Sequence, residues 1–225
     1  EVINLSRNVI IQGDETSVEN EYGVHIMLTS PKLGLKSTHG KLSNVEVRFA
    51  GQAFQLGRYP IHFHMIGDVE GSYVKNCAIH DTFNRAVTIH AVNKFQVMNN
   101  VAFNIMGHTY FIEDAVEVEN HIKYNVAMLT RSSWSLLNTD NDPASFWITN
   151  PSNFIEGNRA CGSQAYGFWM DLPTGSTGLM AGLPNFCPRG MPLGSYKDNV
   201  SHSNAHYGLR VFPEFNPKNK SCGKN

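Results

Sequence analysis

The sequence predicts an all-β chain wound as a right-handed parallel β-helix, a solenoid with long loop insertions, and three observations predict it. First, short segments repeat around an asparagine: Tyr73-Val-Lys-Asn76-Cys-Ala, Val97-Met-Asn-Asn100-Val-Ala, Ile122-Lys-Tyr-Asn125-Val-Ala, Ile155-Glu-Gly-Asn158-Arg-Ala and Tyr196-Lys-Asp-Asn199-Val-Ser. Successive asparagines lie 24, 25, 33 and 41 residues apart, the mark of a unit of fixed minimum length that accepts insertions. Second, the residues between them are alternating β-branched and aromatic side chains broken by Gly, Asn and Asp, with no apolar helical stripe lasting three turns. Third, one strand from each unit aligns with the next in a period-2 pattern, given below. Two or three short strands in a coil of about 22 to 26 residues would stack equivalent residues roughly 4.8 Å apart.

Taken in order, the first strand is expected at Val2-Ile-Asn-Leu5. A solenoid starting there needs a cap, so the expectation is a fragment of a larger protein. Arg7-Asn8-Val-Ile-Ile and Ser43-Asn44-Val-Glu-Val are weaker copies of the repeat and extend it over the whole of 1–225, one domain. The repeated Asn is expected to form an internal ladder at a turn, its amide bonding its own kind above and below. Asn also tolerates the left-handed backbone that such a turn needs. Insertions are expected at about 131–145 and 172–195.

A chain of 225 residues, 41% hydrophobic, can bury a core without dividing into domains. Its net charge of −1 and lack of any Lys/Arg run argue against nucleic acid as a partner. No apolar run approaches the roughly 20 residues that span a bilayer as a helix. The four cysteines, Cys77, Cys161, Cys187 and Cys222, have no Cys-x-x-Cys spacing, which disfavours a zinc ribbon or thioredoxin-type site. Cys77 is expected to be a small buried residue, and two of the last three to form a disulfide of open connectivity. Asn-x-Ser sequons stand at Asn4, Asn199 and Asn219; Asn199 is a ladder position, leaving Asn4 and Asn219 as glycosylation candidates and a lean towards secretion.

The strand alignment is Ile61-His-Phe-His64, Val87-Thr-Ile-His90, Tyr110-Phe-Ile-Glu113, Phe146-Trp-Ile-Thr149, Phe168-Trp-Met-Asp171 and Leu209-Arg-Val-Phe212. First and third positions are large and apolar and should point inward, so second and fourth point outward. The fourth column stacks His64, His90 and Glu113 on adjacent coils, an arrangement suited to a divalent metal ion. His62 lies on the same face, and Asp114 or His108 could complete the shell, His108 also as an orienting imidazole. Further along come Trp147 and Trp169 with Asp171, which suit a sugar groove unless the insertions cover them. Carboxylate pairs such as Glu113 with Asp171, or Asp140 with Asp142, could serve glycoside cleavage as acid and base. Arg58 and Arg85 each precede an aligned strand and could bind an anionic sugar or form ion pairs. Cys161-Gly-Ser163 has no Ser-His-Asp context, so Ser163 is not expected to be a nucleophile.

The runs Gly57-Arg-Tyr-Pro-Ile-His-Phe-His64, Ala86-Val-Thr-Ile-His90, Gly107-His-Thr-Tyr-Phe-Ile-Glu-Asp114, Ser145-Phe-Trp-Ile-Thr-Asn-Pro151 and Ala160-Cys-Gly-Ser-Gln-Ala-Tyr-Gly-Phe-Trp169 carry a resemblance. Together they resemble the parallel β-helix region of the fibrocystin-L family and its relatives, the cell-migration-inducing hyaluronan-binding protein and the transmembrane cell-surface hyaluronidase. The resemblance runs over about residues 1–171 and fades beyond. It implies an extracellular or cell-surface module and, for some members, hyaluronan binding or depolymerisation. It falls on His62, His64, His90, His108, Glu113 and Asp114, the residues that the columns select. Because β-helices serve lyases, hydrolases, adhesins and fibres alike, it bears on fold more than on reaction.

Three readings follow. The first is an extracellular β-helix that binds a glycan or polysaccharide on a metal-bearing face, alongside other domains of the same chain. The second is a metal-assisted glycosidase with Glu113, Asp114 or Asp171 as acid or base. The third is a rigid spacer of a filament or coat that self-associates through 172–195.

Overall fold

The computed structural model describes residues 2–33, 38–135, 138–217 and 222. Three parallel sheets form the walls of a β-helix, two of seven strands and one of six. Along the chain, strands visit the first, second and third sheet in turn, so each of six coils contributes one strand to every wall and a seventh contributes Val200–His202 and Leu209–Phe212 to two of them. The only described α-helix is the single turn Ser17–Asn20. The first strand is Val9–Gln12 rather than the expected Val2–Leu5, because Val9 is the residue in register with Val45 of the next coil.

The second sheet holds Ile26–Thr29, Ile61–Asp68, Val87–Asn93, Tyr110–Ile112, Ala144–Ile148, Tyr166–Asp171 and Leu209–Phe212. Its register is the one that the period-2 alignment predicts: Ile61 pairs with Val87, His64 with His90, Phe111 with Thr88 and Trp147, and Asp171 with Phe212. The strand Ile26-Met-Leu-Thr29 precedes them with the same pattern. Inward positions fill the core, with Tyr110 stacked on Phe146 at 4.9 Å and Phe146 on Phe168 at 4.6 Å. Such aromatic pairs add about 0.5–1.5 kcal/mol each beyond the area they bury.

The asparagine ladder forms, with one shift. Asn100, Asn125, Asn158 and Asn199 each accept, through Oδ1, the backbone N–H one coil earlier, from Cys77, Asn100, Asn125 and Asn158 at 2.9–3.1 Å. Their amides donate to Val74, Val97, Ile122 and Ile155 carbonyls at 2.8–2.9 Å. Asn76 does not belong to this column. Lys75 pairs with Met98, so Asn76 aligns with Asn99, and both sit in the left-handed region at φ 56° and 55°. Cys77 takes the ladder position. Asn44 lies with Asn76 at φ 56°, so the early asparagines serve the corner and the later ones the ladder. A second, shorter ladder follows the same logic: Asn120 Oδ1 accepts from Phe95 N–H and Asn153 Oδ1 from Asn120 N–H.

Two long connections interrupt the coils, between Arg131 and Ala144 and between Asp171 and Ser195, each with short 3-10 turns. A disulfide joins Cys187 to Cys222, while Cys77 and Cys161 are buried and stand outside that disulfide. Asn4 is exposed, Asn199 is committed to the ladder, and Asn219 lies outside the described residues. No described helix is long and apolar enough to cross a membrane.

Candidate functional site

Outside the second sheet, at its early coils, imidazoles and carboxylates converge. His62 Nδ1 donates to the Gly57 carbonyl at 2.9 Å, which leaves the Nε2 lone pair facing the cluster, buried and without a partner. His90 Nε2 donates to Asp114 Oδ2 at 2.8 Å, which frees its Nδ1. That Nδ1 lies 3.1 Å from His64 Nδ1 and 3.3 Å from Glu113 Oε2, itself buried and unpartnered. Two overlapping groups, His62 with His64 and His90, and His90 with Glu113 and Asp114, each bring their ligand atoms within 4.8 Å of one another. A tetrahedral or octahedral ion at about 2.0–2.1 Å from nitrogen would hold its ligand atoms roughly 3 Å apart. The 3.1 and 3.3 Å contacts of His90 Nδ1 fit that spacing.

Charge tells the same story. Burial pushes His62 down to about 3 and lowers His64 with help from its neighbour His90, so both imidazoles are neutral at pH 7 and keep a free lone pair. Burial also pulls His90 down, but the Asp114 hydrogen bond and the Glu113 and Asp114 charges outweigh it and leave a net rise. Burial raises Glu113. A single proton on His90 Nδ1 would serve the His64 or the Glu113 contact and leave His62 Nε2 orphaned. A cation beside His90 would engage the His62, His64 and His90 triad or the His90, Glu113 and Asp114 triad.

The cluster floors a cleft of about 510 Å³ whose walls include Met27, Leu56, Tyr59 and Leu179, with exposed Arg58 bonded to His25 at its rim. Met27 precedes His62 in the outward column, where the aligned pattern Ile26-Met-Leu-Thr29 is its sequence signal. Leu56 and Leu179 come from loops and leave no period-2 signal.

The remaining predicted residues go elsewhere. His108 is fully buried, stacked on Phe111 and tilted against Trp147, its Nδ1 accepts the Ala144 N–H, and it stands outside both ligand groups. Arg85 is also fully buried and makes a two-point pair with Asp140, Nη2 to Oδ2 at 2.5 Å and Nε to Oδ1 at 3.0 Å. It therefore offers nothing to a sugar, and Asp140 is no partner for Asp142 in catalysis. Trp147 is buried in an outer apolar cluster with Phe111, Ala144, Ala165 and Tyr166. Trp169 lies edge-on to Trp147 with the Arg210 guanidinium over its ring at 4.1 Å, so neither indole presents an open stacking face. The exposed indole is Trp134, 78% exposed, on the first long connection. Asp171 shares the outward column but is not among the residues lining the cleft, and Asp114 orients His90 from behind.

Comparison with known proteins matches residues 21–209 to the family model described as CEMIP beta-helix. The chain belongs to the CEMIP beta-helix family. Within it, the chain is 43% identical over 199 residues to fibrocystin-L of Mus musculus, covering 88% of this chain and 5% of that protein. It is 33% identical over 255 residues to cell surface hyaluronidase CEMIP2 of Homo sapiens, covering 94% and 18%. It is 30% identical over 260 residues to the cell migration-inducing and hyaluronan-binding protein of Mus musculus, again 94% and 18%. The chain thus spans a small part of each of these relatives. As a CEMIP beta-helix chain it is extracellular or at the cell surface, in keeping with these relatives and with its disulfide.

Proposed function

We propose that this β-helix holds a divalent transition-metal cation on His62, His64, His90 and Glu113. In this reading, the open side of that cation helps the cleft bind an anionic, oxygen-rich ligand of the glycan class. The observation that carries the reading is His90, which is shared by two overlapping ligand triads and whose Nδ1 faces both His64 Nδ1 and the buried Glu113 Oε2, with the buried, unpartnered His62 Nε2 in the first triad. Three imidazoles favour an ion such as Zn²⁺ over Ca²⁺ or Mg²⁺, which prefer all-oxygen shells. When bound, the cation would supply a Lewis acid for a ligand oxygen. Gly57 and Asp114 fix the two ring tautomers, Arg58 supplies positive charge at the rim, and Met27, Leu56 and Leu179 give the apolar walls against which a sugar face packs.

Elemental analysis of the purified protein and of a His64→Ala/His90→Ala variant, both checked for β-sheet content, tests the cation. About one equivalent in the wild type and none in the variant is expected; no ion in either refutes the reading. Binding of polyuronate and neutral glycans by titration calorimetry, with and without a chelator, tests the ligand. A second reading, metal-assisted glycoside hydrolysis, draws support from the 33% identity to a protein named a cell surface hyaluronidase. Glu113, the carboxylate at the cation, would be its acid or base, and new reducing ends from hyaluronan that vanish with a chelator would establish it.

A further inference from the structure

The second long connection does more than cover the sheet. Its residues Gly178 and Leu179 line the same cleft as the cluster, and the segment Thr177–Met180 is fastened mainly to Asp114, with Thr177 Oγ1 also reaching the Glu113 carbonyl at 3.5 Å. The Thr177 N–H donates to the Asp114 carbonyl at 2.9 Å, and the Met180 N–H donates to Asp114 Oδ2 at 3.1 Å. That same Oδ2 accepts the His90 Nε2–H at 2.8 Å, and the Asp114 residue is only 1% exposed. Gly178, at φ 55°, lies against the Asp114 carboxylate where a Cβ would collide with Oδ1. Leu179, the next residue, is 67% exposed and forms a wall of the cleft. One carboxylate oxygen therefore sets both the orientation of a ligand imidazole and the position of the strap that borders the cleft.

From this shared oxygen we infer that closure of the strap Thr177–Met180 over the cleft is coupled to cation occupancy through Asp114. The inference rests on the cation reading above. A cation on His90 Nδ1 draws electron density from the ring and makes the Nε2–H a better donor, which tightens its bond to Asp114. A fixed Asp114 in turn holds the two strap amides. The coupling is reciprocal, so loosening the strap weakens the cation by the same factor that the cation tightens the strap. Asp114 is a positioning residue in this scheme, and the strap sets how wide the ligand entrance stands through Leu179.

Hydrogen exchange read by mass spectrometry on peptides covering 176–183, with excess Zn²⁺ and with a chelator, tests the coupling, together with zinc affinity by competition with a chromophoric chelator. Zn²⁺ should slow exchange of this segment several-fold while leaving the ladder peptides around Asn125 unchanged. Gly178→Val, which displaces the strap without removing a ligand, should weaken zinc several-fold at unchanged stoichiometry. Asp114→Asn should weaken it roughly 10- to 100-fold, the usual cost of losing an outer-shell partner. Full-strength zinc binding with unchanged strap exchange, or with unchanged affinity in Gly178→Val, would overturn the coupling and leave the cation site standing. No zinc binding by the wild type would overturn both.

Discussion

Asn125→Ala is the sharpest test of how the coils are held in register. The Asn125 side chain makes four buried hydrogen bonds. Oδ1 accepts from the Asn100 N–H at 3.1 Å and the Asn100 amide at 3.0 Å; Nδ2 donates to the Val97 carbonyl at 2.8 Å and to Asn158 Oδ1 at 3.1 Å. Three of the four partners keep another bond: the Asn100 amide also reaches the Val74 carbonyl, Asn158 Oδ1 also accepts the Asn125 N–H, and the Val97 carbonyl stays in the parallel ladder that pairs Val97 with Ile122. Alanine therefore strands one backbone group in the interior, the Asn100 N–H. A stranded buried donor costs about 1–3 kcal/mol, so the expected loss is roughly 1–3 kcal/mol. Asn76→Gly is the control, because Asn76 sits at φ 56° at a corner outside the ladder, where glycine is at no steric disadvantage. It should cost less than about 1 kcal/mol. Urea unfolding followed by circular dichroism measures both. A loss under about 1 kcal/mol for Asn125→Ala, or equal losses for the two variants, would refute the assignment of the ladder to the later asparagines.

Two further outcomes follow from buried charge. Asp140→Ala leaves the Arg85 guanidinium buried and unpaired, so it should cost about 3–5 kcal/mol, and the double variant Arg85→Met/Asp140→Leu should recover most of that; additive losses in urea unfolding would contradict the pairing. Burial lifts Glu117 to about 7, so the folded protein binds a proton that the unfolded chain releases at its ordinary value of 4.5. The stability from that protonated state is complete below 4.5 and is lost as pH rises towards 7, a fall of order 3 kcal/mol. Glu117→Gln in the presence of a chelator should flatten the stability profile across that window, and an unchanged slope would show that Glu117 is not its source.

The fold was legible because its strongest signals are periodic. The outward column Met27, His62, Thr88, Phe111, Trp147, Trp169, Arg210 follows from a period-2 pattern that a one-residue slip would invert, which is why the register of Ile61 through Phe212 could be read without coordinates. The corners were not legible to the same degree. The left-handed positions of one corner are Asn44, Asn76, Asn99, Tyr124, Gly157 and Asp198. Asn, Gly and Asp announce such a position; Tyr124 does not. An asparagine next to another, as in Asn99-Asn100, lets the corner and the ladder be confused, and the repeat pattern alone assigns Asn76 to the ladder when it belongs to the corner.

The site divides along the same line. His62, His64, His90 and Glu113 share a face because strands fix the direction of alternate side chains, so their convergence follows from sequence spacing once the register is known. What each atom does at the site is set by groups that no strand pattern contains. The Gly57 carbonyl decides which nitrogen of His62 is free, and Asp114, one residue past the column, decides it for His90. The Trp147 face is closed by an apolar cluster that includes Ala144 and Tyr166. Arg85 is drawn inward by Asp140, a residue 55 positions away on an inserted loop. Insertions are where a solenoid departs from its repeat, and together with the loop that carries Leu56 and Gly57 they border the outward face at the cleft. Strands therefore supply the candidate ligands, and the loops choose which of them stay open. A relative with the same column residues but a different connection after Asp171 should keep the cation cluster and change the entrance to the cleft, which exchange of residues 172–194 between two such chains would reveal as unchanged metal stoichiometry with altered ligand preference.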